Sequence, residues 1–148
     1  MEDLDNVYNE LIMEHSMSSY NKGELKGANY CRLGHNPNCG DEITLNLKVN
    51  NGIIEDMSFT GHGCAISQAS TSIMIDTLKG KNVKEAKEII ETFFDMIKNG
   101  QKNEETLAKL EDAIAFKNVA NMPARVKCAL LAWHTLEDIL NEESKGKN

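Results

Sequence analysis

Thiol and carboxylate side chains occur at three separated points of the sequence, in contexts that suit a metal ion. Cys39 and Asp41 lie two residues apart, Cys64 follows a turn rich in glycine, and Cys128 lies near the end of the chain. Three thiolates and one carboxylate suit Zn²⁺, which takes four ligands in a tetrahedron with Zn–S distances of about 2.3 Å. We therefore hypothesise that one metal ion is bound by Cys39, Asp41, Cys64 and Cys128.

The spacing of these residues differs from that of a zinc finger, because the sequence has no Cys-x-x-Cys pair. A site built from distant segments must be assembled by the fold, and such a site can exchange one ligand. Cys39 lies in the loop Asn36–Asp41, the most mobile of the contributing segments expected from the sequence. We therefore predict that Cys39 is the reacting thiol.

The proposed ligand set needs a nearby cation. Three thiolates and one carboxylate carry a charge of about −4, and Zn²⁺ leaves about −2. Arg125 is the best-placed cation, because it lies one helical turn before Cys128 on nearly the same face. We predict a role for Arg125 in the reaction, although an exposed helix position explains its spacing equally well.

Length and composition predict a single domain over residues 1–148. The 148 residues are 41% hydrophobic and 26% charged, which is ordinary for a soluble globular protein. The net charge of −7 argues against a nucleic acid partner, which requires a basic face. The sequence has no apolar run of about 20 residues and no signal peptide at its acidic N-terminus, so we expect no membrane partner and a cytoplasmic location.

Hydrophobic periodicity predicts an α+β fold, with a small antiparallel sheet packed against several helices. Alternation over 43–49 and again over 53–60, separated by Asn51-Gly52, indicates a β-hairpin with a two-residue type I′ turn. A short edge strand is predicted at 23–27. Ile53, Met57 and Phe59 are expected on one face of the returning strand.

Helical spacing predicts five helices. They are expected near 3–15, at 65–78, at 83–98, near 104–116 and from Pro123 onward, with a frayed tail from Glu142. Cys64 would then lie at the start of the second helix, where unpaired N–H groups and the helix dipole favour a thiolate.

Three further residues have metal-binding side chains but weaker contexts. Cys31 has no motif around it, and we interpret it as a small buried apolar residue. His35 is expected to be solvated in the loop before Pro37. His62 could add a ligand, and a solvated loop position explains it at least as well.

Three blocks of sequence resemble the SufU proteins, which belong to the IscU/NifU-N superfamily of iron–sulfur cluster assembly. The blocks are Asn-Pro-Asn-Cys-Gly-Asp at 36–41, Gly-His-Gly-Cys-Ala-Ile-Ser-Gln-Ala-Ser at 61–70, and Pro-Ala-Arg-Val-Lys-Cys-Ala-Leu-Leu-Ala-Trp at 123–133. Lys127 stands where IscU scaffolds carry a histidine, and 99–121 is similar to the SufU insertion. The resemblance therefore favours SufU over IscU.

The resemblance implies a SufE/IscU-like fold and a zinc-dependent sulfur acceptor. Its partner would be a PLP-dependent cysteine desulfurase of the SufS type, and proteins of cluster assembly would receive the sulfur downstream. The family pattern places Zn²⁺ on Cys39, Asp41, Cys64 and Cys128. A desulfurase histidine can replace the first cysteine on the metal, which would release Cys39 beside the persulfide.

Two other functions stay open at this stage. Cysteines with one carboxylate could hold a labile [2Fe–2S] cluster, which would make the chain an assembly scaffold. The chain could also be a purely structural zinc protein. The metal content of the purified protein distinguishes a cluster scaffold from a sulfurtransferase. The effect of Cys39→Ala on desulfurase stimulation distinguishes a structural zinc protein from a sulfurtransferase.

Overall fold

The computed structural model describes residues 2–36 and 40–146, with side chains from residue 6 onward. Its architecture is the predicted α+β arrangement, in which a three-stranded antiparallel sheet packs against helices. No helix in this part of the chain is both long and apolar enough to cross a membrane. The elements in chain order are α1 (Glu2–Met17), β1 (Tyr30–Asn36), β2 (Asp41–Asn50), β3 (Ile53–His62), α2 (Ala65–Leu78), α3 (Val83–Asn99), α4 (Glu104–Leu107), a 3₁₀ segment (Ala108–Asn121) and α5 (Pro123–Gly146).

The hairpin β2–β3 is confirmed. Asn51 and Gly52 both have positive φ, 53° and 77°, as a type I′ turn requires. A register shift at Lys48 and Val49 reverses which face of the sheet the first residues of β3 occupy. Ile53 is therefore 38% exposed, contrary to the prediction, and Ile54 is buried in its place.

The third strand is β1, at 30–36, and the predicted edge strand at 23–27 is absent. The chain before β1 reaches β3 through Gly23, whose N–H donates to the Phe59 carbonyl at 2.8 Å. β1 pairs with the other edge of the hairpin and ends with Asn36 opposite Asp41. Alternation along β1 leaves Cys31 exposed, so the interpretation of this residue as buried was wrong.

Helix α5 lies across β1 at very short distance. A Cβ atom added at Gly34 would lie 2.1 Å from Thr135 Oγ1, so a larger residue at this position would push helix and strand apart. The end of α5 is also attached. Arg32 donates to Glu142, Tyr30 donates to Glu143, and Lys87 Nζ lies 2.6 Å from Ser144 Oγ. These bonds keep α5 helical to Gly146, and the predicted fraying from Glu142 was wrong.

The attachment of α5 should be visible in a pH titration. The hydrogen bond to Glu143, with burial and the charges of Glu143 and Glu142, raises the pKa of Tyr30 to about 12. Because this pKa lies above the unfolded value of about 10, the stabilisation is present below pH ~10 and is lost as pH rises toward ~12. We expect near-ultraviolet absorbance to show one late ionisation among the three tyrosines. Tyr30→Phe should remove that step and Tyr20→Phe should leave it; simultaneous ionisation of all tyrosines would contradict the assignment.

The predicted helix at 104–116 is mostly 3₁₀. Only Glu104–Leu107 is α-helical, and the following segment is interrupted at Glu111, which has φ 50° and ψ −127°. Buried side chains recur at every third residue from the end of α4 onward, the period at which 3₁₀ side chains align. They are Leu107, Leu110, Ala113, Phe116 and Val119, and Ala115 is buried in addition.

Helix α2 is the central helix of the structure, in contact with α1, α5, the 3₁₀ segment and β3. All but three of its residues are buried, and many of them are small. The core beside it contains Trp133 of α5, whose ring stacks on Phe93 of α3 with centroids 3.8 Å apart. Trp133 Nε1 also donates to Ser70 of α2. Trp133 thus fixes α5, which contains Cys128, relative to α2, which begins directly after Cys64.

Candidate metal centre

Asp41, Cys64 and Cys128 come together at one end of the sheet. One ligand atom from each, a carboxylate oxygen and two sulfurs, lies within 4.8 Å of the others. Asp41 begins β2, Cys64 immediately precedes α2, and Cys128 lies in the second turn of α5. The fold thus brings together three of the four residues predicted as ligands, from segments up to 87 positions apart in the sequence.

Asp41 is a buried carboxylate that also caps α2. Its side chain is almost fully buried, at 1% exposure. The Cys64 backbone N–H donates to Asp41 Oδ1 at 2.9 Å, and Cys64 Sγ lies 3.9 Å from Oδ2. The side chain of Cys64 makes no capping hydrogen bond. A carboxylate at a helix N-terminus is stabilised by the unpaired N–H groups and the helix dipole.

Gly63 allows this close approach. A Cβ atom at Gly63 would lie 2.8 Å from Asp41 Oδ1 and 3.0 Å from Ser67 Oγ. Real Cβ atoms essentially never come within 3.0 Å of another heavy atom, so any larger residue would displace the carboxylate. The glycine before Cys64 is therefore required by the position of Asp41.

Cys128 is held by a buried chain of hydrogen bonds between α2 and α5. Trp133 Nε1 donates to Ser70 Oγ at 2.9 Å, and Ser70 donates to the carbonyl of Ala129 at 2.6 Å. Ala129 follows Cys128 directly, so these two hydrogen bonds fix the position of Cys128 relative to α2. No sequence pattern predicted this role of Ser70, which lies in a run of small helix residues.

The donor set fits a zinc ion. Ligand atoms on a tetrahedral zinc with bonds near 2.3 Å lie about 3.8 Å apart, and the three observed atoms lie within 4.8 Å of each other. Small side-chain movements would therefore bring them to one ion. In the part of the chain that the structure describes, no other three Cys, His, Asp or Glu side chains come as close.

The remaining predicted site residues have different surroundings. Cys39, predicted as a ligand and as the reacting thiol, lies outside the described residues. Arg125 is exposed in the first turn of α5, three residues before Cys128. His62 is exposed at the end of β3, where its ring lies 3.6 Å from Glu42, and it is not part of the cluster. His35 is exposed, as predicted, but it lies in β1 rather than in a loop.

Burial differs among the residues of the cluster and their neighbours in the described part of the chain. Asp41 and Cys128 are buried and Cys64 is half-buried, whereas the neighbouring Gly40 and Gly63 are exposed. Among the three clustered side chains, Cys64 is therefore the one with partial access to solvent.

Comparison with known proteins agrees with this arrangement. The model of the NifU-like N terminal domain family matches residues 7–138. A Thermotoga maritima protein named iron–sulfur cluster assembly scaffold protein IscU is 40% identical over 139 residues, which are 94% of this chain and 96% of that protein. A Bacillus subtilis protein named zinc-dependent sulfurtransferase SufU is 38% identical over 143 residues, 97% of this chain and 95% of that one.

A solved structure shows the same fold. The crystal structure of a putative iron–sulfur cluster assembly scaffold protein for the SUF system, from Fervidobacterium islandicum AW-1, superposes with a TM-score of 0.82 at 41% identity. The superposition covers 91% of this chain and 97% of that chain. Sequence and fold agree, and the chain belongs to the NifU-like N terminal domain family.

Proposed function

We propose that this protein acts in iron–sulfur cluster assembly as a zinc-dependent sulfurtransferase. It accepts sulfane sulfur from the persulfide of a cysteine desulfurase of the SufS type and passes it to downstream assembly proteins. The observation that carries the proposal is the convergence of Asp41, Cys64 and Cys128 at one end of the sheet. The name of the B. subtilis relative supports the same activity.

Asp41, Cys64 and Cys128 would hold the zinc ion, with Cys39 as the fourth donor. When bound, the ion keeps the coordinating thiols deprotonated near neutral pH. The chain itself keeps the carboxylate of Asp41 in place through the N–H of Cys64 and keeps Cys128 in place through Ser70.

Sulfur transfer is a thiol exchange without net oxidation. The Cys39 thiolate attacks the outer sulfur of the desulfurase persulfide, the S–S bond of the donor breaks, and the desulfurase thiolate leaves. A new S–S bond on Cys39 then carries the sulfur. A thiolate of the downstream acceptor repeats the exchange, which returns Cys39 to its starting state.

Arg125 should assist this exchange, because it is exposed and lies one helical turn before Cys128 on α5. A hydrogen bond to a charged group contributes about 1.5–3 kcal/mol, so we expect Arg125→Ala to slow sulfur transfer about tenfold or more with an unchanged fold. Lys127→Ala is the matched control. Lys127 is also exposed, but it is adjacent to Cys128 and therefore lies about 100° from it around the helix axis. Equal rates for wild type and Arg125→Ala would remove Arg125 from the reaction.

A scaffold for a labile [2Fe–2S] cluster is the second candidate function. The T. maritima relative, named as a scaffold, aligns over nearly the whole chain, and thiolates with a carboxylate can also bind iron. Aerobic purification separates the two functions. Colourless protein with about one zinc per chain that accelerates a desulfurase supports sulfur transfer. Brown protein with visible absorption and no effect on the desulfurase supports the scaffold.

A further inference from the structure

The hydroxyl of Ser67 is a buried polar group with no hydrogen-bond partner among the described residues. Ser67 is 1% exposed and lies one turn into α2, three residues after Cys64. A buried hydroxyl without a partner is unfavourable, since it has given up its hydrogen bonds to water. Such a group in a folded protein calls for an explanation.

Three threonine hydroxyls on the helices of this protein are paired with the backbone of their own helix. Thr71 donates to the Ser67 carbonyl, Thr77 to Ile73 and Thr92 to Glu88, each at 2.8–2.9 Å and four residues back along the helix. Ser67 lies too close to the start of α2 to donate to a helix carbonyl four residues earlier, because that residue is Gly63, which lies outside the helix. Its hydroxyl is therefore left for another acceptor.

The hydroxyl borders the candidate metal centre. Ser67 Oγ and Asp41 Oδ1 lie 3.0 Å and 2.8 Å from the same point, the position that a Cβ atom at Gly63 would occupy. The two oxygens thus line the same small space next to Cys64. A carboxylate offers about four acceptor positions, so Asp41 can accept a further hydrogen bond besides that of the Cys64 N–H.

We propose that Ser67 is a positioning residue of the metal centre, whose hydroxyl donates to the Asp41 carboxylate when the centre is filled. The inference rests on the proposed metal-binding function. Groups that hydrogen-bond to metal ligands orient them and offset their charge, and this ligand set is strongly anionic. The hydroxyl of Ser67 would then find its hydrogen-bond acceptor in the Asp41 carboxylate when a metal ion is bound.

Ser67→Ala tests the proposal with two measurements that need no desulfurase. Zinc affinity, measured by competition with a chromophoric chelator, should fall about tenfold to a hundredfold. The urea midpoint of the metal-free protein should stay the same or rise, because alanine removes an unpaired buried hydroxyl. Thr77→Val is the control: it removes a paired hydroxyl at the far end of α2 and should leave zinc affinity unchanged.

The outcomes separate this inference from the proposed function. Tight zinc binding by wild type and equally tight binding by Ser67→Ala would overturn the role of Ser67 alone. A lower urea midpoint for metal-free Ser67→Ala would also overturn it, because the hydroxyl would then be structural. Absence of tight zinc binding by wild type would overturn both the metal centre and the role of Ser67.

Discussion

Cys39→Ala is expected to abolish sulfur acceptance from a cysteine desulfurase. The substitution removes the proposed nucleophile, and the remaining thiols of the cluster are proposed metal ligands, of which Cys128 is almost fully buried. Desulfurase turnover should fall to the rate of the desulfurase alone. Mass spectrometry of the wild-type protein after reaction should find one added sulfur on the peptide that contains Cys39.

Cys31→Ala is the matched control for this experiment. Cys31 is an exposed thiol on β1, so it tests whether any accessible cysteine can accept sulfur. We expect the control to behave as wild type. If desulfurase stimulation survived Cys39→Ala with zinc still bound, Cys39 would not be the acceptor.

Asp41→Ala is expected to weaken both the metal centre and the fold. It removes a proposed ligand, and it leaves the partly buried Cys64 N–H without the acceptor that it has at 2.9 Å. A fully buried donor left unpaired costs about 1–3 kcal/mol, so the free energy of unfolding of the metal-free protein should fall by an amount at or below that range. Zinc affinity should fall further, as measured by chelator competition.

Asp41→Asn separates these two effects. The amide oxygen can still accept from the Cys64 N–H, whereas a neutral amide is a much poorer zinc ligand than a carboxylate. We expect metal-free stability close to that of wild type together with weakened zinc binding. Zinc affinity equal to that of wild type in both variants would show that Asp41 is a helix cap and not a ligand.

The hairpin and the neighbourhood of Asp41 and Cys64 could be predicted from sequence because both depend on local patterns. Period-two alternation around Asn51-Gly52 fixes the pairing of two adjacent strands. The start of one strand and the end of the other must then lie at the same end of the sheet. The arrival of Cys128 depends on how α5 packs on α2 and β1, which no local pattern specifies.

β1 was not predicted, because few of the residues on its inward face are apolar. The positions that face α5 include Gly34 and Asn36, and Leu33 is on the exposed side. Gly34 is needed because Thr135 lies against it, a tertiary requirement that hydrophobic periodicity does not detect. The helical end of α5 was missed for a related reason, since its polar side chains have partners on β1 and α3.

The 3₁₀ segment did leave a sequence signal. Buried residues repeat every three positions from Leu107 of α4 to Val119, with Ala115 buried in addition, and a helical period of 3.6 matches only part of that series. The sequence gives no signal for the unpaired hydroxyl of Ser67, because a serine in a run of small helix residues indicates only close packing.

Zinc K-edge X-ray absorption of the purified protein tests most directly whether three sulfurs and one carboxylate share a single ion. We predict a first shell of about three sulfurs near 2.3 Å and one lighter ligand near 2.0 Å, with one sulfur fewer in Cys128→Ser. A shell of nitrogen and oxygen only, or a sulfur count that is unchanged in Cys128→Ser, would contradict the account.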